Sequence, residues 1–344
     1  MYDVLIAGAG PAGCAAAAYL AGRGLRVLLA ERQRLPRYKS CSGILIQKSL
    51  DLIAQDLGQT VPDRVTCAPA DNRGMVFTDD QGREYRFEQG GRNVWRDRFD
   101  GWLAELARAR GAEVTDGALA TGCEDLGDAV AVHFPGRTER ARYLLDCTGV
   151  TGVLRRKLTG RRGGYITTFQ TFHRGVIDLD PHYFYAYLQP ELSQYDAWFN
   201  VKDGLLVLGV SARETGRIAE FHPKFLAYLA SRHGLRIGKA LRAERWLMPR
   251  VEPGCPVCPG QGRVLLAGEA AGFLNPMGEG ISAALESGRL AAEAVAAHLH
   301  DPPAALRAYA EAAAPLQSYM QRQWRLVGQL SGTFREMAAA APQI

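Results

Sequence analysis

The sequence predicts a mixed α/β fold, in which a parallel sheet wound with helices carries an inserted antiparallel sheet and ends in a helical C-terminus. Three observations carry this. A glycine-rich turn joins an apolar strand run to an alanine-rich helix at the N-terminus. Between about 160 and 250 the pattern changes to alternating apolar and polar residues, as in a sheet with one face on a cavity. Past Pro302 and Pro303 an alanine-rich stretch with Tyr309, Tyr319, Trp324 and Leu326 reads as a terminal helix. At 344 residues with 47% hydrophobic side chains, the chain is long enough for two domains or one large domain with an insertion.

The first element is a βαβ unit, "YDVLIAGAGPAGCAAAAYLAGRGLRVLLAER", with strands at Val4–Ala7 and Val27–Ala30. Gly8 lets the first strand turn tightly, and Gly10 lets backbone approach a pyrophosphate. Ala12 and Gly13 open the helix, where a small residue packs closely on the sheet and free N–H groups meet phosphate. Glu31, at the end of the second strand, is the acid that hydrogen-bonds a ribose diol, which favours FAD or NAD over NADP. Arg32 beside it is the cation that a 2′-phosphate would need. This is the Rossmann pattern of a dinucleotide site.

Next, "MVFTDD" and "EYRFEQ" within 62–90 read as a hairpin that joins the inserted sheet. "VWRDRFDGWLAELARARGAEV" is a helix with Arg96 at its start, and "YLLDCTGVTGVLRR" is a strand ending at Leu145 before a turn at Thr148-Gly149. "YITTFQTFHRGV", "YFYAYLQP" and "GLLVLGV" supply the alternating strands. "GRVLLAGEAAGFLNPMGEGISAALESGRLAAEAVAAHL" then reads as a strand at Val264–Ala267, a Gly268-Glu269 turn, a loop through Asn275-Pro276, and a long helix beginning near Glu279.

Composition excludes several classes. A net charge of +5 with dispersed basic residues tilts towards anionic ligands but falls short of a nucleic-acid footprint. No run reaches the roughly 20 apolar residues of a spanning helix, so contact with a membrane would be peripheral. Seven cysteines at scattered spacing, and an N-terminus that runs directly into a strand, point to a reducing, cytoplasmic setting. Cys255 and Cys258 form the one CxxC, and no histidine stands at matching spacing, so no metal site is expected. Cys14 and Cys147 fall within a helix and a strand and are expected in the core.

The segment from Gly262, and above all "AGFLNPMGEGI", resembles the flavin-contacting segment of the geranylgeranyl reductase and aromatic hydroxylase superfamily of FAD-dependent enzymes. The resemblance implies a Rossmann-like FAD-binding domain with an inserted antiparallel-sheet substrate domain and a helical C-terminus. The FAD-binding domain would be discontinuous, over 1–60, 91–160 and 251–300. The substrate sheet would take 61–90 and 161–250, and 301–344 would be the C-terminal helical segment. It further implies that Gly268 and Glu269 contact the ribitol or ribose region, with glutamate where the family usually has aspartate. Pro276 would lie against the ring. N–H groups of Gly278, Glu279 and Gly280 at the helix start, with Ile281, would face the charge on the pyrimidine edge of reduced flavin. Arg96 matches an Arg-x-x-Phe-Asp pattern that contacts cofactor phosphate, and Gly149 a Gly before a Val-Arg, although Thr148 replaces the usual aspartate. Tyr195, Trp198 and Phe199 resemble the reductases' aromatic motif along the substrate cavity, with Asn200 in place of proline.

"PRYKSCSG" is similar to the reductases' Pro-x-x-x-x-Cys-Gly, with Ser42 inserted before Gly43. The implied role of Cys41 is a catalytic thiol beside the flavin's reactive edge, as a proton donor or, if Arg37 and Lys39 draw it towards thiolate, in a covalent role. The expected activity is FAD-dependent reduction of carbon–carbon double bonds in a prenyl or other apolar substrate. An FAD monooxygenase and a redox-neutral isomerase or cyclase are the alternatives, while a halogenase is disfavoured because Trp-x-Trp-x-Ile-Pro is absent. With one GxGxxG in the chain, electrons are expected from NAD(P)H or a protein donor docking transiently. Substrate identity and oligomeric state are open at this point.

Overall fold

In the computed structural model, which describes residues 1–160, 164–250, 253–254 and 256–339, the chain opens as β1 (Tyr2–Ala7), α1 (Pro11–Ala21) and β2 (Val27–Ala30). β1 closes on four buried residues and β2 is buried throughout, the pattern of strands covered on both faces. β3 (Ile44–Ile46), α2 (Gln47–Leu57), the hairpin β4 (Thr66–Thr78) and β5 (Glu84–Val94), α3 (Arg96–Ala109) and β6 (Glu113–Thr115) follow. A meander of β7 (Gly122–Asp125), β8 (Val130–Phe134) and β9 (Arg137–Asp146) leads to α4 (Val153–Thr159). The middle of the chain forms β10 (Tyr165–His173), β11 (Gly175–Val176), β12 (Tyr183–Tyr187), β13 (Ala197–Lys202), β14 (Leu205–Ala212), α5 (Ile218–His233), β15 (Arg236–Ile237) and β16 (Arg242–Pro249). The end forms β17 (Gly260–Gln261), β18 (Val264–Leu266), α6 (Ile281–Ala297), α7 (Pro302–Leu330) and α8 (Gly332–Ala339).

Two large sheets result. The first runs β17-β18-β9-β1-β2-β6, and its central neighbours β18, β9, β1, β2 and β6 are parallel. This is the open sheet of a nucleotide-binding unit, assembled from strands far apart in sequence. The second runs β16-β10-β14-β13-β12-β4-β5-β3. It is antiparallel except where β12 pairs with β4, a parallel join that brings the hairpin into the sheet. Ile44–Ile46, expected within the nucleotide unit, is instead the edge strand of this second sheet, paired with β5.

α1 is buried on nearly every side because it lies between the first sheet, α3 and α6. Its alanines allow that approach: a Cβ at Gly288 of α6 would collide with the Ala12 carbonyl. α7 is capped by Asp301, whose carboxylate accepts from the Ala304 N–H at 3.0 Å. Its stripe Ala305, Tyr309, Ala313, Leu316, Met320, Trp324 and Val327 is buried at helical spacing, and Tyr309 donates to the Leu266 carbonyl at 2.7 Å. α5 covers one face of the second sheet with a separate core that includes Tyr185, Phe199, Leu208, Phe221 and Phe225. The other face of that sheet meets the nucleotide unit across a cavity. Among the described residues no helix is long and apolar enough to cross a membrane.

Candidate functional site

The cavity is walled on one side by the two glycine-rich segments and on the other by the second sheet. Gly8 sits at φ +105°, and a Cβ there would collide with the Cys147 carbonyl, so only glycine fits the turn. A Cβ at Gly13 would collide with the Gly8 carbonyl, which shows how closely α1 meets the strand. Gly10 and Ala12 face the cavity, no side chain caps α1, and its first turn holds no acid. That leaves the helix N-terminus available to an anion.

Glu31 is buried behind this turn, accepting from the Ala9 N–H at 3.0 Å and the Gln33 N–H at 3.1 Å. Arg37 pairs with it at 3.0 Å, donates to the Ala9 carbonyl, and pairs with Asp100, also at 3.0 Å. Asp100 takes two further bonds from Arg96, each 2.9 Å. The chain Glu31–Arg37–Asp100–Arg96 thus alternates two carboxylates with two guanidiniums. Burial disfavours the Asp100 charge, but Arg96 and then Arg37 outweigh it and hold the carboxyl below its ordinary range. Arg32 stays exposed at the cavity wall.

The second glycine segment closes the same cavity. Gly268, at φ +61°, fits between Ala12 and Ala284 and donates its N–H to Ser287 Oγ at 2.9 Å. Glu269 lines the cavity and pairs with Lys39 at 3.1 Å. Two expectations for this segment need correction, the free N–H groups and the place of Pro276. α6 begins at Ile281, two residues past Glu279 and as expected near it. The Gly278 and Glu279 N–H groups are already used within the loop, donating to the Asn275 carbonyl and side chain at 3.0 Å, while that of Gly280 is left at the cavity without a partner among the described residues. The Glu279 carboxylate turns away to cap α6, accepting from Ser282 N–H at 2.8 Å and Ser282 Oγ at 2.7 Å. Pro276 is buried off the cavity wall, its carbonyl held by Tyr195 Oη.

Cys41 lines the cavity, its sulfur accepting from the Gly43 N–H at 3.3 Å. The expected cations are elsewhere, since Arg37 and Lys39 are engaged with Glu31, Asp100 and Glu269. Arg96 and Lys202 take their place. Burial works against the Arg96 cation, yet Asp100 and then a hydrogen bond and charge interaction with Cys41 raise its pKa. Lys202 is 1% exposed, donates to the Val94 carbonyl and lies 4.6 Å from the Trp95 ring centre; burial lowers its pKa against Cys67 and Cys41. Gly43 sits at φ +71° with no room for a Cβ beside Val94 and Lys202, so the inserted Ser42 leaves this glycine where a glycine is needed.

Gly149 lines the cavity at φ +72°. Its turn is built by Asp146, which accepts from Thr148 N–H, Thr148 Oγ and Arg155 N–H at 3.0, 2.6 and 3.0 Å. Of the three aromatic residues expected at the substrate, Trp198 alone lines the cavity, its indole lying over Gly209 where a Cβ would collide with the ring. Phe199 points to the opposite face of the sheet, as alternation along β13 requires, and packs on Tyr185 under α5. Tyr195 is structural, its ring 4.8 Å from that of Phe334. Cys14 and Cys147 are buried, and burial raises both thiols. Cys258 is described as a free thiol, whereas Cys255 lies outside the described residues.

Asp100, Asp146, Gln170 and Asp196 belong to this site and were not singled out from the sequence, and Arg37, expected beside Cys41, instead joins Glu31 to Asp100. One signal existed for Asp100, since Arg96 and Asp100 are spaced i, i+4 on a helix. Residues that meet only through the fold, such as Arg37 and Asp100, left none.

The arrangement fits an adenine dinucleotide, with a glycine turn at a helix N-terminus, a buried acid at the following strand end, and a second glycine segment across the cavity. The family profile described as FAD binding domain matches residues 1–185. A menaquinone reductase of Mycobacterium tuberculosis is 31% identical over 322 residues, covering 85% of this chain and 76% of that protein. Among solved structures, a geranylgeranyl bacteriochlorophyll reductase-like protein from Thermoplasma acidophilum superposes with a TM-score of 0.80 at 20% identity, covering 100% of this chain and 92% of the other. The flavin-dependent halogenase CmlS superposes at 0.76 with 18% identity, covering 99% and 68%. These likenesses give the fold. With the profile match and the 31% relative, they make the chain a member of the FAD binding domain family, an FAD-dependent oxidoreductase by fold and site.

Proposed function

We propose that this protein is an FAD-dependent reductase that saturates carbon–carbon double bonds in a prenyl-bearing or other apolar substrate. The observation that carries the reading is Cys41 on the wall of the same cavity as both glycine segments, facing an aromatic and thioether surface of Phe184, Trp198, Trp246 and Met248. The relative named menaquinone reductase supports a prenylated quinone as the substrate class.

When bound, FAD supplies a hydride. The residues do the rest. Gly8, Gly10 and the α1 N-terminus would hold the pyrophosphate and Glu31 the ribose, with Arg37 fixing the Glu31 carboxylate at 3.0 Å. The Gly280 N–H faces the cavity where a ring would lie. The apolar wall excludes water, so that a proton reaches the substrate only from a positioned side chain. The Cys41 sulfur, held by the Gly43 N–H and beside Arg96, is the polarisable group next to the double bond. Electrons come from NAD(P)H or a protein donor that docks transiently, and the cytoplasm is the proposed setting.

A monooxygenase is the second reading, favoured by the halogenase likeness in fold. The two separate in single turnovers. Cys41→Ala should leave FAD bound and slow anaerobic substrate reduction at least about 10-fold. Unchanged turnover would make Cys41 a packing residue.

A further inference from the structure

We propose that Asp196 is the acid of this cavity, the side chain that gives its proton to the substrate carbon not receiving hydride. The inference rests on the reductase reading above.

Asp196 lines the cavity immediately before β13, two residues from Trp198 and on the same face of the sheet. It is 8% exposed. Among the described residues its carboxyl is held by one side chain, Ser211, whose Oγ donates to Oδ1. Ser211 is fully buried and also donates to the Asp196 carbonyl at 3.0 Å, while it accepts from the Asp196 N–H at 3.1 Å. Ser193 Oγ donates to the same carbonyl at 2.8 Å. Two buried serines thus lock the backbone and orient the acid.

Among the described residues no charged group is paired with it. Tyr195 precedes it on its own segment, β14 presents Ser211, and Arg213 beyond is set against Arg250 and Tyr195. Glu31 and Asp100 are matched by guanidiniums, while Asp146, which burial also raises, is tied down by two N–H groups and a hydroxyl and lies off the cavity wall. Burial raises the Asp196 carboxyl to about 6, against the Ser211 bond that lowers it. An unpaired buried acid is costly to keep unless it exchanges a proton. Cys41 is less suited, because its sulfur meets donors, the Gly43 N–H and Arg96, and acts as an acceptor.

The step balances. The π bond breaks, one carbon takes the hydride with its two electrons, the other takes the Asp196 proton, and the carboxylate left behind is reprotonated from solvent. An acid that must be protonated works below its pKa, so turnover should rise as pH falls through about 6.

The test uses the FAD holoenzyme, reduced anaerobically and mixed with menaquinone from pH 5 to pH 8, with the rate read as saturation of the prenyl chain by fragment mass, apart from any quinol formed at the ring. Wild type should show the limb near 6; Asp196→Asn, which still accepts from Ser211, should lose the limb and about 100-fold in rate. Ser211→Ala removes the bond that lowers the Asp196 carboxyl and should move the limb to higher pH. A variant D196N with the wild-type rate and limb would overturn the inference. If wild type reduces no prenyl substrate, the reductase reading fails, and the acid is judged without substrate by pH-difference infrared spectra of the holoenzyme. A protonated-carboxyl band that titrates near 6 and vanishes in D196N supports a proton-exchanging acid, and its absence in wild type overturns it.

Discussion

At the scale of single residues, a carboxylate held charged between guanidiniums contrasts with one that burial keeps protonated. Asp100 lies between Arg96 and Arg37, and its folded pKa is depressed despite burial. Its contribution to stability is therefore complete above the ordinary carboxylate range and is lost as pH falls below about 4. Asp100→Asn leaves two buried guanidiniums sharing one carboxylate fewer, and should cost about 3 kcal/mol at pH 7 in equilibrium denaturation. Asp196 has the opposite sign, with a folded pKa raised from 3.8 to about 6. The folded state holds its proton more tightly, so this residue costs nothing near pH 4 and on the order of 3 kcal/mol by pH 8, at about 1.4 kcal/mol per unit. Asp196→Asn should match wild type near pH 4 and be the more stable protein at pH 8. Equal stability across that range would mean that Asp196 is solvated or paired. Glu31→Arg sets a cation against Arg37 at the ribose position and should release FAD, read as loss of protein-bound flavin absorbance.

At the scale of elements, local pattern carried as far as chemistry with a fixed spacing. The β1–α1–β2 unit was legible because glycine, helix N-terminus and acid must follow one another in the chain. The substrate face was not. Trp198 and Phe199 are neighbours in sequence, yet strand alternation sends one to the cavity and the other beneath α5. The loop before α6 misled for a similar reason: Asn275 takes up the Gly278 and Glu279 N–H groups, a use that composition does not reveal. Gly209 carries a prediction at this scale. A Cβ there would collide with the Trp198 indole, so Gly209→Ala should push that ring into the cavity. Substrate binding should weaken at least about 10-fold while FAD stays bound, the signature of an overpacked wall and not of a lost cofactor site. Unchanged substrate affinity would place Trp198 outside the contact surface.

At the scale of the whole molecule, function follows from how two sheets meet. The parallel sheet and its helices present backbone and charge for a dinucleotide, and the second sheet presents Asp196, Trp198 and Gln170 across the gap. The β4–β5 hairpin and β3 reach that second sheet from the first part of the chain, so the two units are interleaved and share the cavity wall near Cys41. Sequence alone suggested the two units; it did not reveal that β3, next to Cys41, belongs to the substrate side. The measurement that tests the account most directly is anaerobic mixing of the reduced holoenzyme with menaquinone and other prenyl lipids, following flavin absorbance and product mass in the same samples. Reoxidation without oxygen is expected, with two hydrogens gained on the prenyl chain as read from fragment masses, which separates chain saturation from reduction of the quinone ring to a quinol. Reoxidation only after oxygen is admitted, with a product heavier by one oxygen, would contradict it.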